Sequence, residues 1–498
     1  MQWDKDKISE ELLQQVRDLE QLLAPRDLKT RIRAKVLARG VFADDLDEDD
    51  GDTPSSRYHR AEQEAEDLGK MAATEHELLS ELLPALLQDS TNSKVWNFGF
   101  GVGQVAHDVA KFVAQARQLV ENAKSGSVSL IFLRGVISGW HKAKPEEVAA
   151  FLDEALHDEV WGKWFPELQL RVPLDEVGYK RLLTSLEMGK TPTWQYQYLA
   201  LGRATDPLTV EQIVTLVKTI ASTADDGLAI AIDVLAMVIH CAEEKETDYQ
   251  RELACYCASF LQNVNWSQLK DDHSRIDHDV ETILNFTLAA SCPKEMISEM
   301  LQNLVAHERS KSRYYTGGRG KLLAPFFKFY PLQALDAIYV EDNDGTYSTA
   351  LRMVSRLNSD RRETAIREVP LDKLIEWCEV SPADRYIFAA ETCRLFENKS
   401  EGDADVSLSE LLKAITSKSP NKKAVLNIII SRFQPSSWSG SLAAILCSRL
   451  PLLSTLNPFD DKELELEIKQ AEETFKKYIV AEEAIEEERE RRQTGSFE

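Results

Sequence analysis

Thr209-Val210-Glu211-Gln212-Ile213-Val214-Thr215-Leu216-Val217-Lys218-Thr219-Ile220 is the stretch on which the fold class turns. Its apolar residues Val210, Ile213, Val214, Val217 and Ile220 recur at intervals of three and four, the period of one buried helix stripe. Thr209 and Gln212 stand just ahead of that stripe, at the spacing where a hydroxyl and an amide side chain satisfy helix-start amides reciprocally. The same pattern continues downstream. A helix is expected over 227–241, and Thr247 with Gln250 repeats the box ahead of Leu253, Ala254, Cys257, Phe260 and Leu261. Further helices are expected over 276–290 and 293–307, the last with Pro293 near its first turn. Elements of about 15 residues joined by short loops give the helix-pair period of HEAT and armadillo units. The expected fold is all-α, an irregular HEAT/armadillo-like helical-repeat solenoid.

Toward the C-terminus, Pro331, Pro370 and the Ser381-Pro382 pair with Asp384 open further helices, and Ser407 is expected to cap against Glu410. The segment 459–498 is dense in Glu, Lys and Arg. Its sparse stripe of Leu464, Ile468, Ala471, Phe475, Ile479 and Ile485 predicts a long charged helix docked by one face. Toward the N-terminus, helices over 9–23 and 28–37 occupy a segment 1–43. An acidic run over 44–57 repels itself and reads as a solvated linker. Between these ends lie a first helical lobe over 58–308, a basic glycine-rich loop over 309–321 and a second lobe over 322–458. Short runs at 128–133 and 425–430 also admit a strand reading, although no hairpin turn joins alternating segments.

The chain has 498 residues, 43% of them hydrophobic, enough for a substantial core. Its net charge of −24, from 59 basic and 83 acidic residues, disfavours wrapping along a nucleic-acid backbone. No apolar run approaches the ~20 residues that span a bilayer, and the first residues carry no apolar secretory stretch. A cytoplasmic protein with no membrane contact is the expectation. Cys241, Cys255, Cys257, Cys292, Cys378, Cys393 and Cys447 are an odd, scattered set, which fits reduced thiols on helix faces. Cys255 and Cys257 are two apart and do not face one another on a helix.

Four places invite a chemical reading. Gly189-Lys190-Thr191 resembles the end of a phosphate loop, but Thr184 stands where the motif needs glycine, so Gly189 is read as a helix C-cap. Gly101, Gly103 and Ala106 fit a loose dinucleotide pattern, which would require a helix over 104–120 and flanking strands. The alternative is a tight glycine bend ahead of an ordinary helix. His273, Asp277 and His278 gather in an acidic stretch and admit a metal-dependent hydrolase, against the plainer role of an acidic helix start. Arg309, Lys311, Arg313, Tyr314, Tyr315, Arg319 and Lys321 form a basic segment inside an acidic chain, with cations for phosphate and tyrosines for stacking. These seven are the candidate ligand-binding residues, for an anion or nucleic acid. No residue is assigned as catalytic or as a metal ligand, and no cofactor is expected. Trp161, Trp164 and Phe165 are read as core aromatics.

Several short segments carry a resemblance: Asp67-Leu68-Gly69, Trp96-Asn97-Phe98-Gly99-Phe100-Gly101, Leu133-Arg134-Gly135, Leu201-Gly202-Arg203, Phe433-Gln434-Pro435-Ser436-Ser437-Trp438-Ser439-Gly440-Ser441 and Arg449-Leu450-Pro451-Leu452-Leu453. With them the chain resembles the helical C-terminal regions of bacterial STAND or NACHT-like ATPases and related phage-defence proteins. The resemblance implies a sensor or adaptor that recognises a ligand or foreign protein. Its partner would be a protein, such as a separate effector enzyme or ATPase. The chain departs from the full-length pattern in having no Walker A motif.

Overall fold

The Thr209 box forms as its spacing predicts. The Thr209 hydroxyl accepts from the Gln212 amide at 3.3 Å, and the Gln212 side chain accepts from the Thr209 amide at 2.9 Å. The computed structural model describes residues 14–15, 27–38, 54–88, 92–124, 127–223, 226–269, 274–290, 292–311, 320–356, 365–398, 406–435, 438 and 440–494. Among these residues the chain is all-α apart from one antiparallel pair of short strands. None of the described helices is long and apolar enough to cross a membrane. The chain divides into two compact units, 1–241 and 242–498, so the division falls inside the segment 58–308.

The first unit begins with α1 (Leu28–Ile32), which runs on as a turn of π-helix over Arg33–Leu37. There follow α2 (Pro54–Ala72), α3 (His76–Leu86), α4 (Ser93–Val105), α5 (Val109–Asn122), α6 (Ile131–Ala143) and α7 (Pro145–His157). Then come α8 (Phe165–Gln169), α9 (Glu176–Met188), α10 (Val210–Ala221) and α11 (Gly227–Ala242). Helix α2 takes up 54–57, the last four residues of the expected acidic linker, because proline is well tolerated in the first helical turn. The expected helix over 9–23 lies largely outside the described residues, as does 44–53.

At the centre of this unit α4 is clamped between α2 and α6, and glycine makes the clamp possible. A side-chain carbon at Gly101 would fall well inside van der Waals contact of the Glu66 carbonyl oxygen on α2. One at Gly103 would meet the Val136 carbonyl on α6, and one at Gly99 the Phe132 carbonyl. The partners reciprocate: Gly69 of α2 faces the Phe98 carbonyl, while Gly135 and Gly139 of α6 face those of Trp96 and Phe100. Residues two apart on a helix point to opposite sides, and residues four apart share one. Alternating glycines at 99, 101 and 103 therefore open both sides of α4 to close backbone approach. Phe98, Val102, Phe132 and Val136 fill the space around these contacts and are completely buried or nearly so.

Neither expectation for the glycine-rich stretch holds. It is the interior of a helix, so there is no bend, and no dinucleotide helix starts at 104. The next helix, α5, begins at Val109, where the Asp108 carboxylate accepts from the Lys111 amide at 3.2 Å. The strand readings also fail, since 131–133 open α6 and 425–430 lie within a helix.

The second unit contains α12 (Thr247–Gln262), α13 (Ser274–Ala289), α14 (Lys294–Ser310), α15 (Ala324–Phe329), α16 (Pro331–Ile338), α17 (Ser348–Arg356), α18 (Leu371–Val380) and α19 (Pro382–Thr392). It continues through β1 (Phe396–Asn398), β2 (Val406–Leu408), α20 (Glu410–Lys418), α21 (Lys422–Ser431), α22 (Leu442–Leu453) and α23 (Lys462–Thr494). Helices here pack on the next but one: α12 on α14, α14 on α16, α16 on α18 and α18 on α20. A second row runs from α17 through α19 and α21 to α23. Helix α23 docks through Leu464, Ile468, Phe475 and Ile479, while Ile485 stays exposed. The Glu486 carboxylate of α23 accepts from the Ser441 hydroxyl at 2.6 Å and the Ala443 amide at 3.2 Å, closing the start of α22.

Two expected caps are corrected. Glu246 is the N-cap of α12, so Thr247 is already helical; Gln250 turns back and donates to the carbonyls of Ala242 and Lys245, both at 3.0 Å. Orphan carbonyls at the preceding helix end compete successfully for that amide. Ser407 is in β2, opposite Glu397, and strand pairing carries the chain on to Ser409, whose hydroxyl accepts from the Leu412 amide at 3.1 Å.

Replacing Gly by Ala inside a helix ordinarily stabilises it by roughly 1 kcal/mol. For Gly101→Ala the opposite sign is expected, a loss of about 3 kcal/mol, because the backbones of α2 and α4 must separate. Urea unfolding followed by circular dichroism measures the change, and a neutral or stabilising result would show that the helices are not clamped there.

Candidate functional site

Beside the clamped helices lies the most polar part of the first unit's core. Arg134 stands next to Gly135, so the helix face fixed against α4 turns this guanidinium away toward α8. After the helical turn Trp161–Trp164, α8 is only five residues long, opens with Pro166 in its first turn and is buried throughout. Its Glu167 is 3% exposed. Nη1 of Arg134 lies 3.4 Å from the Glu167 carboxylate, and the Arg134 guanidinium sits over the Tyr198 ring, 5.7 Å from its centroid. Tyr198 belongs to the 3₁₀ turn Thr193–Ala200, which also buries Gln195. Arg171 donates from Nε to the Glu167 carbonyl at 3.2 Å, and its own carbonyl accepts from the Ser138 hydroxyl of α6 at 3.0 Å.

The electrostatics follow from burial. Desolvation pushes the Glu167 carboxyl above the ordinary carboxylate range, and the positive charge of Arg134 offsets only part of that. Burial also lowers the Arg171 guanidinium from its usual value, helped by repulsion from Arg134. The Tyr198 phenol is raised, first by burial and then by the Glu167 charge. Gln169 and Gln195 are fully buried; Gln195 lies beside the Glu167 carboxylate, while the Gln169 amide has no hydrogen-bond partner among the described residues. An unpaired buried amide costs roughly 1–3 kcal/mol.

The cluster backs onto a cavity of about 380 Å³, lined among others by Arg134, Arg171, Arg203, Leu170, Val172 and Leu201. Asp206 also lines it and accepts from Arg203 Nε at 2.6 Å. At its edge Gly202 and Arg203 both take left-handed backbone conformations, with φ of 63° and 61°. Glycine adopts this freely, whereas arginine carries strain of order 1 kcal/mol there.

The basic segment is described only at its ends. Arg309 closes α14 and is paired with Asp342 at 3.0 Å, also donating to the Val340 carbonyl at 3.2 Å. The carbonyl of Lys311 accepts from Arg352 at 3.3 Å. Lys321 lies 3.3 Å from the Asp277 carboxylate. Arg313, Tyr314, Tyr315 and Arg319 lie outside the described residues, as does His273. Asp277 is buried on α13 while the adjacent His278 is exposed, so the helix turns the two apart. Among the described residues no group of three His, Cys, Asp or Glu side chains is placed to hold a metal ion.

Other readings settle into structure. Gly189 is the left-handed cap of α9, and Thr191 beside it is buried, donating to the Gly162 carbonyl at 2.5 Å. Trp161 and Phe165 are buried, and Trp164 packs edge-on against Trp194. Cys255 faces Cys292 at 3.6 Å, not Cys257. Sequence reasoning missed the arginine cavity, since no spacing rule links positions 134, 171 and 203. Two of the three nevertheless fall in the short segments that carried the resemblance. No protein-family model, curated protein or solved structure matches the chain.

A group whose pKa is raised in the fold contributes stability that is fully present below its unfolded value and is lost as pH rises through the folded value. Glu167 is such a group. As pH rises from about 4, the ordinary carboxyl value, wild type should lose stability relative to Glu167→Gln, which cannot titrate. Paired urea titrations of the two proteins at each pH measure the difference; a gap that stays flat or moves the other way overturns the assignment.

Proposed function

We propose that this chain is a helical binding scaffold, a sensor or adaptor, that recognises an anionic ligand through the cavity bordered by Arg134, Arg171 and Arg203. The observation that carries this reading is that three arginines, Arg134, Arg171 and Arg203, line one cavity inside an acidic chain. Arginine forks match carboxylate and phosphate geometry, and partial burial strengthens such contacts over their value in water. The costly buried Gln169 amide and the strained Arg203 backbone fit a site retained for binding.

The next-but-one packing of helices in the second unit suits the HEAT-like helical-repeat reading, in which stacked pairs offer a broad surface to a protein partner. A scaffold of this kind works with a separate effector enzyme or ATPase. On the resemblance to phage-defence regions, such a pair would work in the bacterial cytoplasm. Arg309 and Lys321 are each paired with a carboxylate, whereas Arg171 at the cavity donates only to a backbone carbonyl, which favours the cavity as the anion site.

A charge-assisted hydrogen bond contributes roughly 1.5–3 kcal/mol, about tenfold or more in affinity. Arg171→Met should therefore weaken binding of a simple carboxylate or phosphate at least about tenfold in titration calorimetry, whereas Arg309→Met should leave it unchanged. The reverse ranking would move the anion site to the basic segment.

A further inference from the structure

Resting on that reading, we infer that the cavity's ligand is an amphiphilic monoanion: one carboxylate seated on the Arg134–Arg171 side, joined to an apolar body lying against Leu170, Val172 and Leu201. Three observations lead there. The first is size. A cavity of about 380 Å³ falls within the roughly 300–1,000 Å³ of sites that hold organic ligands, and a bare inorganic ion would leave most of it unfilled.

The second is the wall. Leu170, Val172, Pro173, Leu174, Leu201 and Pro207 are six of the twelve residues that line it. Leu201 is 51% exposed at the end of its 3₁₀ turn, an apolar surface that a ligand's hydrocarbon would cover. Burying it is favourable for any apolar group, with no directional demand.

The third is charge. Of the lining residues, Arg134, Arg171 and Arg203 contribute three positive charges and Asp206 one negative; Glu167, behind Arg134, supplies a second when ionised and leaves a single positive charge. Arg203 is already occupied by Asp206, and Arg134 by Glu167. Arg171 spends only its Nε, on a backbone carbonyl, and the rest of its fork has no hydrogen-bond partner among the described residues. One fork and one net charge match a carboxylate, which accepts two parallel hydrogen bonds, better than a phosphate dianion.

The test compares acetate, hexanoate, phenylacetate and phenyl phosphate by ligand-observed NMR and calorimetry on the full chain. Each buried methylene gives about a fourfold gain in affinity, so hexanoate should bind at least about tenfold more tightly than acetate. Arg171→Met should weaken every member of the series. Leu201→Asn, at an exposed position that folding tolerates, should weaken hexanoate several-fold and leave acetate unchanged, with circular dichroism confirming the fold. Equal affinity for acetate and hexanoate would overturn the apolar body while the anion site stands. Tighter binding of phenyl phosphate than of phenylacetate would overturn the monoanion. Binding that is insensitive to Arg171→Met, or weaker than about 10 mM for every probe, would remove the anion site itself.

Discussion

Backbone-to-backbone contact between α4 and its neighbours α2 and α6 is the constraint from which the first unit follows. Side chains normally hold helices apart at roughly 8–10 Å. Where Gly69, Gly99, Gly101, Gly103, Gly135 and Gly139 meet, carbonyl oxygens instead occupy the space a side chain would take. Helices that touch through their backbones have little freedom to slide or rotate. The large side chains around them, Phe98, Phe112 and Phe132, are held in contact as a tilted and an edge-on pair.

That rigidity matters for the polar cluster next to it. Arg134 projects from a helix that cannot shift without breaking the Gly135 and Gly139 contacts, and Ser138 of the same helix ties down the segment carrying Arg171. The cation that partly neutralises Glu167 is therefore positioned by packing several residues away. A buried ion pair that is not fully hydrogen-bonded contributes little to stability. Holding it on a rigid element makes it useful for recognition instead, because little is lost in ordering the site when a ligand arrives. The second unit is built differently, from ordinary apolar stripes and capped helix ends. Among its ion pairs, Arg309 with Asp342 and Lys321 with Asp277 join helices and loops distant in sequence.

The all-α class, the Thr209 box, the left-handed cap at Gly189 and the long charged helix at the C-terminus were all legible in the residues, because each depends on spacing within one element. Periodicity of apolar residues and the chemistry of a capping hydroxyl act over three or four positions, and a single sequence displays them directly. Near misses also had local causes. Thr247 and Ser407 are good capping residues, but a neighbouring helix end and a strand pair shifted where the helix began.

Only the tertiary structure decided what Gly99, Gly101 and Gly103 are for. In the sequence they look like punctuation, since glycine inside a helix costs stability unless something occupies the space it leaves, and that something is contributed by residues 30 or more positions away. The cavity has the same character: Arg134, Arg171 and Arg203 come from a helix, the segment after α8 and a strained turn, and no period or motif connects them. Local spacing fixes which segments coil into helices. Which surfaces meet, and which charges are thereby withdrawn from water, depends on the packing of the whole unit.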